Sequence, residues 1–394
     1  MLRPDSFALT LLLAMLSGIG PLTVDMYLAS LPDMGRLLGA QTAQVQLTIS
    51  VYLVGHALGQ VFYGPLSDRH GRRPVLTAAL GVYLVASVVC AVATTIEWLI
   101  AARFIQALGG SGAVVLARAI VRDIYDGVRV GRELSRMASI MAFAPLVAPL
   151  IGGVLQTAFG WRSNFVVLAL FGVTASSMVW LMLPETLRQR APEPVSLRSI
   201  LRSFRRFLGE RVFVVHLGIA TCCMAGLFSW ISAAAFVLQD IYGLTPLIFG
   251  LAFAVGGSGY LIGTTLAARF VARWGGTRTM GFGTLAMAAG GLLMVAAVAI
   301  GWQVAIGILI AMGLWMIGMG LTLPQAQAGA LLPFPDRAGA ASSLLGVTTQ
   351  TTAAIVGAVL GHLLGHTAWP LAVAMAVTGL LALLFRSLVR QAGG

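Results

Sequence analysis

Stretches of roughly 20 apolar residues, the length that crosses a hydrocarbon layer as an α-helix, follow one another along this chain with short polar joints between them. A backbone in lipid must satisfy its own hydrogen bonds, which only helices and closed barrels achieve. The runs cover residues 8–30, 44–66, 75–95, 98–121, 135–158, 162–183, 212–238, 246–272, 279–300, 302–328, 338–362 and 367–388. They predict an all-α polytopic membrane protein with twelve transmembrane helices. Only 10% of the residues are charged, against about 25% in a soluble domain, so water is not the main solvent. The first run follows a single Arg3, lacks a small-residue cleavage site and is interrupted by Pro21 and Asp25, which reads as a retained helix rather than a signal peptide.

The formal net charge of +12 is explained by position rather than by a nucleic-acid partner. Basic residues collect at alternate joints: Arg69, Arg72 and Arg73 after the second run, Arg122, Arg129 and Arg132 after the fourth, and Arg188 through Arg211 after the sixth. Arg36 and Arg162 are the visible exceptions on the other side. This is the positive-inside pattern. It predicts a bacterial-type inner (plasma) membrane protein with both termini, carrying Arg3, Arg386 and Arg390, in the cytoplasm. Every basic residue other than His is Arg, which removes a Schiff-base lysine and a phosphate-binding P-loop lysine. ATP is therefore not expected as the energy source, and no cofactor is expected. Cys90, Cys222 and Cys223 all lie inside apolar runs, and no disulfide or metal framework is indicated.

The longest polar stretch, ETLRQRAPEPVSLRSILRSFRRFLGER at 185–211, separates an N-terminal six-helix bundle (1–184) from a C-terminal one (212–394). Within it, 197–208 alternates Arg with Leu, Ile and Phe at helical spacing. Such a segment suits the anionic cytoplasmic membrane surface; a plain solvated linker is the alternative. A weak repeat supports the division: GPLSDRHGRRP from Gly64 matches ARFVARWGGTR from Ala268, with Arg69 and Gly71 corresponding to Arg273 and Gly275. Paired halves around a midplane site are a recurrent transporter design. Glycines concentrate within the runs, as in GGSG from Gly109 and from Gly256, where small residues let helices approach closely.

Asp25 and Arg103 stand out as ionisable side chains at depth in the first half. Either at the bilayer centre costs roughly 2.5–3.5 kcal/mol on insertion scales, less if they pair or face a wet cavity. Pairing between them is expected. It fits two roles: a switch in which the Arg103 distance moves the Asp25 proton on or off, or a static pair that fixes two helices. Tyr52, His56 and Gln60 recur every four residues and share one helix face. His56 suits cavity lining, proton exchange or plain packing. In the second half Phe228, Trp230, Phe236, Trp315, Gln325 and Gln350 are the residues from which an apolar-ligand pocket could be built, with ordinary packing as the alternative for each.

These motifs resemble those of the major facilitator superfamily. The joint GPLSDRHGRRP, with Gly64, Asp68, Arg69, Gly71, Arg72 and Arg73, is similar to its signature between helices 2 and 3. Gly64 would admit a neighbouring helix, Asp68 would face a helix N-terminus, and the resemblance implies that the loop latches one conformation. Asp123 in VRDIY resembles the acidic partner of those arginines, and LIAARFIQALGG from Leu99 resembles the helix-4 motif of proton-driven members, with Arg103 as its arginine. APLVAPLIGG from Ala144 resembles the helix-5 motif of antiporters, with Pro145, Pro149, Gly152 and Gly153. There prolines loosen the helix and glycines permit tight packing. More narrowly, TVDMYLASLPDM from Thr23, AGAASSLLG from Ala338 and TAWP from Thr367 resemble the bicyclomycin/chloramphenicol-type (Bcr/CflA) drug:proton antiporters. Ala29 and His56 depart from that pattern.

The resemblance implies a monomeric secondary transporter that exchanges protons for small drug-like molecules by alternating access, with Asp25 as the acid for which proton and drug compete. A metabolite or amino-acid exporter would carry the same features. An intramembrane enzyme is disfavoured, since neither HExxH nor a Gly-x-Ser-x-Gly nucleophile is present. A non-transporting sensor would have no need of Asp25 and Arg103.

Overall fold

A computed structural model describes residues 7–125, 128–141, 143–187, 204–301, 305–334, 338–365 and 367–389, and no strand occurs among them. The chain divides into two compact units, Met1–Val195 and Ser196–Gly394. In the first lie α1 (Phe7–Asp25), α2 (Leu31–Leu38), α3 (Thr42–His70), α4 (Arg72–Val92), α5 (Ile96–Ile124), α6 (Val128–Met141), α7 (Ala144–Phe159) and α8 (Arg162–Met182). The second holds α9 (Arg211–Ala235), α10 (Pro246–Trp274), α11 (Gly276–Ala299), α12 (Ile306–Leu331), α13 (Ala338–Leu363) and α14 (Trp369–Val389). Eleven spans among the described residues are long and apolar enough to cross a membrane, and α7 adds a shorter apolar helix.

Two expected spans are divided. The run at 8–30 is not one helix: α1 stops at Asp25, a 3₁₀ turn follows at Leu28–Ser30, and α2 then begins. Pro32, in the first turn of α2, has no N–H, and its ring would clash with the carbonyl four residues earlier in a continuous α-helix. Leu28 supplies that carbonyl, so the chain tightens there instead. The run at 135–158 is likewise two elements. Amphipathic α6 carries Arg129, Arg132, Glu133 and Arg136, and apolar α7 restarts at Ala144 with Pro145 in its first turn, where a missing N–H does no harm. At the far end of α9 the backbone loosens into π-helix over Phe236–Ile241.

Within each unit the helices meet through glycines. In the first, Gly55 and Gly59 of α3 lie against the Phe104 and Leu108 carbonyls of α5. In the second, Gly259 and Gly263 of α10 lie against the Gly313 and Ile317 carbonyls of α12. The glycines of the two seams are displaced along the chain by the same interval that relates Arg69 to Arg273, and their carbonyl partners by five residues more. The joints repeat too: Gly71 (φ 104°) links α3 to α4 and Gly275 (φ 79°) links α10 to α11, a left-handed conformation that L side chains avoid. The weak sequence repeat is thus a repeat of helix seams and of their turns.

Part of the polar stretch after α8 behaves differently from the membrane-surface reading. Residues 197–203 lie outside the described residues. Residues 204–208 are helical, and Phe207 is fully buried. Its ring centroid lies 5.6 Å from Phe213 and 4.7 Å from Phe334, so this apolar side chain is spent on protein rather than on lipid. Arg205 and Arg206 remain exposed. At the start of the stretch, Glu185 caps α4: its carboxylate accepts from the backbone N–H groups of Arg72 (2.9 Å) and Arg73 (3.2 Å). Partial burial raises the Glu185 pKa, but the backbone donors Leu187, Arg72, Arg73 and Thr186 outweigh it and hold the carboxyl below its ordinary value.

Two predictions follow from this packing. A Cβ at Gly263 would overlap the Ile317 carbonyl, so Gly263→Val should lower the melting temperature of purified protein, at a cost of about 1–3 kcal/mol typical of overpacking. Glu185→Gln should lower it by the equivalent of about 1 kcal/mol at pH 7. Because the folded carboxyl is depressed, its contribution is complete above the ordinary carboxylate range and is lost as pH falls through the folded value. The gap between wild type and variant should therefore close below about pH 4.

Candidate functional site

The site grows from the break in the first helix. Asp25 ends α1, and Tyr27, with φ −90° and ψ 0°, occupies the sparsely allowed bridge region where many active-site residues sit. The turn is held by Met26 N–H donating to the Leu22 carbonyl (3.1 Å) and Ser30 N–H to the Tyr27 carbonyl (2.9 Å). One stripe of α7 supports it. Pro149, Gly152, Gly153 and Gln156 are all buried at helical spacing. Gly152 lies against the Met26 carbonyl, which a Cβ there would overlap, and Gln156 Nε2 donates to Asp33 of α2. Asp33 also pairs with Arg36 at 2.6 Å.

Arg103, on α5, has 0% exposure. Its Nη1 donates to Gln106 Oε1 (2.6 Å) and to the Thr23 carbonyl (3.3 Å). The guanidinium carbon sits 4.3 Å from the Tyr27 ring centroid and 4.4 Å from that of Tyr52. Nε and Nη2 have no hydrogen-bond partner among the described residues. A polar chain continues outward: Gln106 Nε2 donates to Ser87 Oγ (2.8 Å), Ser87 Oγ donates to the Tyr83 carbonyl (2.7 Å), and Tyr83 Oη shares a hydrogen bond with Thr23 Oγ1 (2.8 Å). Tyr27 Oη and Thr48 Oγ1 are 3.0 Å apart.

The expected Asp25–Arg103 pair is not made. Among the described residues Asp25 has neither ion pair nor hydrogen bond, and it is 5% exposed. The reason is angular. Arg103 meets α1 at Thr23, and residues two apart on a helix do not face the same way. Two aromatic faces and a carbonyl take the place of the carboxylate, leaving Asp25 as an acid without a counter-charge.

Tyr52, His56 and Gln60 come together as their spacing requires. Tyr52 and His56 are buried and stacked at 6.1 Å, and Gln60 Nε2 donates to His56 Nδ1 at 3.0 Å. That bond puts the neutral imidazole proton on Nε2, which is buried near Gly20 without a partner. The second-unit residues do not gather in the same manner. Trp230 is buried beside Phe253 (6.2 Å), and Phe228 and Phe236 are buried. The Trp315 ring is core, wedged against Gly226, and Gln325 lies by Gly276 at the start of α11. Gln350 has a buried Oε1 without a partner.

In the loop motif Arg72 is the hub. It donates to Asp123 Oδ2 (2.8 Å), Asp68 Oδ1 (2.5 Å) and Ser67 Oγ (2.6 Å), while Arg73 donates to the Trp180 carbonyl (2.6 Å). Arg69 is exposed. Around Gly64, expected to admit a neighbouring helix, a Cβ would meet no atom of the described residues within contact distance. Sequence reasoning missed Glu185, Gln156, Tyr27 and Gln106. Gln106 carried a signal: it sits three residues after Arg103, the spacing of helix neighbours.

Comparison with known proteins matches this architecture to a family. The Major Facilitator Superfamily profile matches residues 13–245. The "Uncharacterized MFS-type transporter YdgK" of Bacillus subtilis is 33% identical over 99% of this chain and 97% of its own length. The "Bicyclomycin resistance protein homolog" of Haemophilus influenzae is 29% identical over 97% of this chain and 96% of its own length. The xylose transporter XylE of E. coli, in a partially occluded inward-open conformation, has a TM-score of 0.75 at 15% identity, covering 98% of both chains. The chain is a multi-pass membrane transporter and belongs to the major facilitator superfamily.

Proposed function

We propose that the protein exports small apolar or amphipathic drug-like molecules in exchange for protons, by alternating access across the inner membrane with both termini in the cytoplasm. The observation that carries this reading is the unpartnered carboxyl of Asp25 at the break of helix 1. A carboxyl buried with no counter-charge or donor is least costly when neutral, so proton binding from one side and release to the other changes the energy of the site. A fixed ion pair with Arg103 would have removed that sensitivity. The name of the Haemophilus relative speaks of bicyclomycin resistance, which outward transport of the compound would confer.

In this cycle the cargo enters beside Asp25 while the carboxyl is charged, and protonation from the periplasmic side favours its departure. One elementary charge moved through about 100 mV supplies about 2.3 kcal/mol, enough for a sizeable concentration ratio per proton. The role of Arg103 is positional: it ties α5 to the Thr23 carbonyl and holds Tyr27 and Tyr52 in place beside the acid.

Asp25→Asn should bind bicyclomycin-like drugs within a few-fold of wild type, yet release no protons on drug addition and lose gradient-driven export in inverted vesicles. Normal proton release from that variant would sink the proposal. Arg103→Lys keeps the charge but loses the planar fork and stacking area. It should lower export by roughly tenfold and the melting temperature by the equivalent of about 1–2 kcal/mol, as expected for a weakened buried charge-assisted hydrogen bond and cation–π contact. Parallel transport assays and thermal melts check both effects.

A further inference from the structure

Outside the interior site, one concavity in the first unit is built from charged groups. A cavity of about 180 Å³ is lined by Tyr125, Arg129, Arg132, Glu133 and Arg136. Arg129, Arg132 and Arg136 recur at helical spacing along α6, which gathers three guanidinium groups on one flank. Glu133 is the one carboxylate among these lining residues, and it is already committed. Glu133 is 7% exposed, accepts from Thr10 Oγ1 of α1 at 2.9 Å and takes Arg136 Nη1 at 2.6 Å on its other oxygen. Arg132 makes no hydrogen bond or ion pair among the described residues.

The cavity also has a defined depth. Thr10 lies in the first turns of α1, and α6 follows directly on the end of α5 that carries Asp123, bound to Arg72. It therefore opens where apolar spans end and lipid headgroups begin. A guanidinium fork fits the paired oxygens of a phosphate, and basic residues at this level attract anionic headgroups. An arginine kept for topology alone needs only an exposed surface, whereas these line a recess whose one acid is turned toward α1.

We infer that this recess binds a phosphate group, presented either by an anionic lipid headgroup or by a soluble phosphate. Occupancy sits one buried carboxylate away from α1, the helix that ends at Asp25.

The test uses full-length protein purified in uncharged detergent. Dioleoylphosphatidylglycerol and the phosphate-free dioleoylglycerol are offered in turn and their retention read by native mass spectrometry. Inorganic phosphate is then titrated against chloride at matched ionic strength with thermal melting as readout. Arg132→Gln, which removes no bond among the described residues, should weaken binding of the effective probe by about fivefold and leave dioleoylglycerol retention unchanged. Retention of phosphatidylglycerol without a phosphate effect identifies a headgroup site; protection by phosphate without lipid retention identifies a soluble anion. Neither response in wild type, or equal responses in wild type and Arg132→Gln, overturns the inference. Hydrogen exchange on wild-type protein gives a check that needs no variant: amides of 128–141 should slow severalfold on adding the effective probe, and unchanged exchange there would also overturn it.

Discussion

A guanidinium with no exposure and no carboxylate is the interaction around which the first unit is arranged. Arg103 is held in a low-dielectric interior by two tyrosine faces, an amide oxygen and a backbone carbonyl. Each is weaker than an ion pair, so all must be held in register. That need accounts for the polar chain through Gln106, Ser87, Tyr83 and Thr23, which links α5, α4 and α1. Breaking any link leaves a buried donor or acceptor without a partner, which costs about 1–3 kcal/mol. The same arrangement leaves Asp25 electrostatically alone, and a lone acid is sensitive to proton supply in a way that a paired one is not.

The number and placement of the spanning helices were legible because hydrocarbon thickness imposes a length that any apolar run must meet. The two divided spans were not, because a hydropathy window averages over the residues that break a helix. Pro32 acts on a carbonyl four residues earlier, and the polar face of α6 was diluted by the apolar start of α7. In the site, Tyr52, His56 and Gln60 could be placed together since a spacing of four residues fixes a shared face. The partner of Arg103 could not. Charge complementarity suggested Asp25, whereas the angle around α1 decided for Thr23, and that angle depends on how two helices cross rather than on either sequence alone.

Helix contacts show a similar division between what is local and what is not. That glycine-rich runs would pack closely followed from their composition. Which carbonyl each glycine would meet did not, and neither did the agreement between the seam of α3 with α5 and that of α10 with α12. Phe207 shows the same limit. Its place in an Arg-rich amphipathic segment suggested lipid, but Phe213 and Phe334, the latter more than a hundred residues away in sequence, supply the apolar surface it needs.

The contact between Gly152 and Met26 joins a position that must have no side chain to a backbone carbonyl. Every residue type presents such a carbonyl. Drift in the lineage can therefore exchange Met26 for another residue without altering what Gly152 touches, while position 152 itself has almost no freedom to vary. Two neighbours in space thus have unequal steric freedom, and the stricter of them lies far along the chain from the acid whose surroundings it shapes.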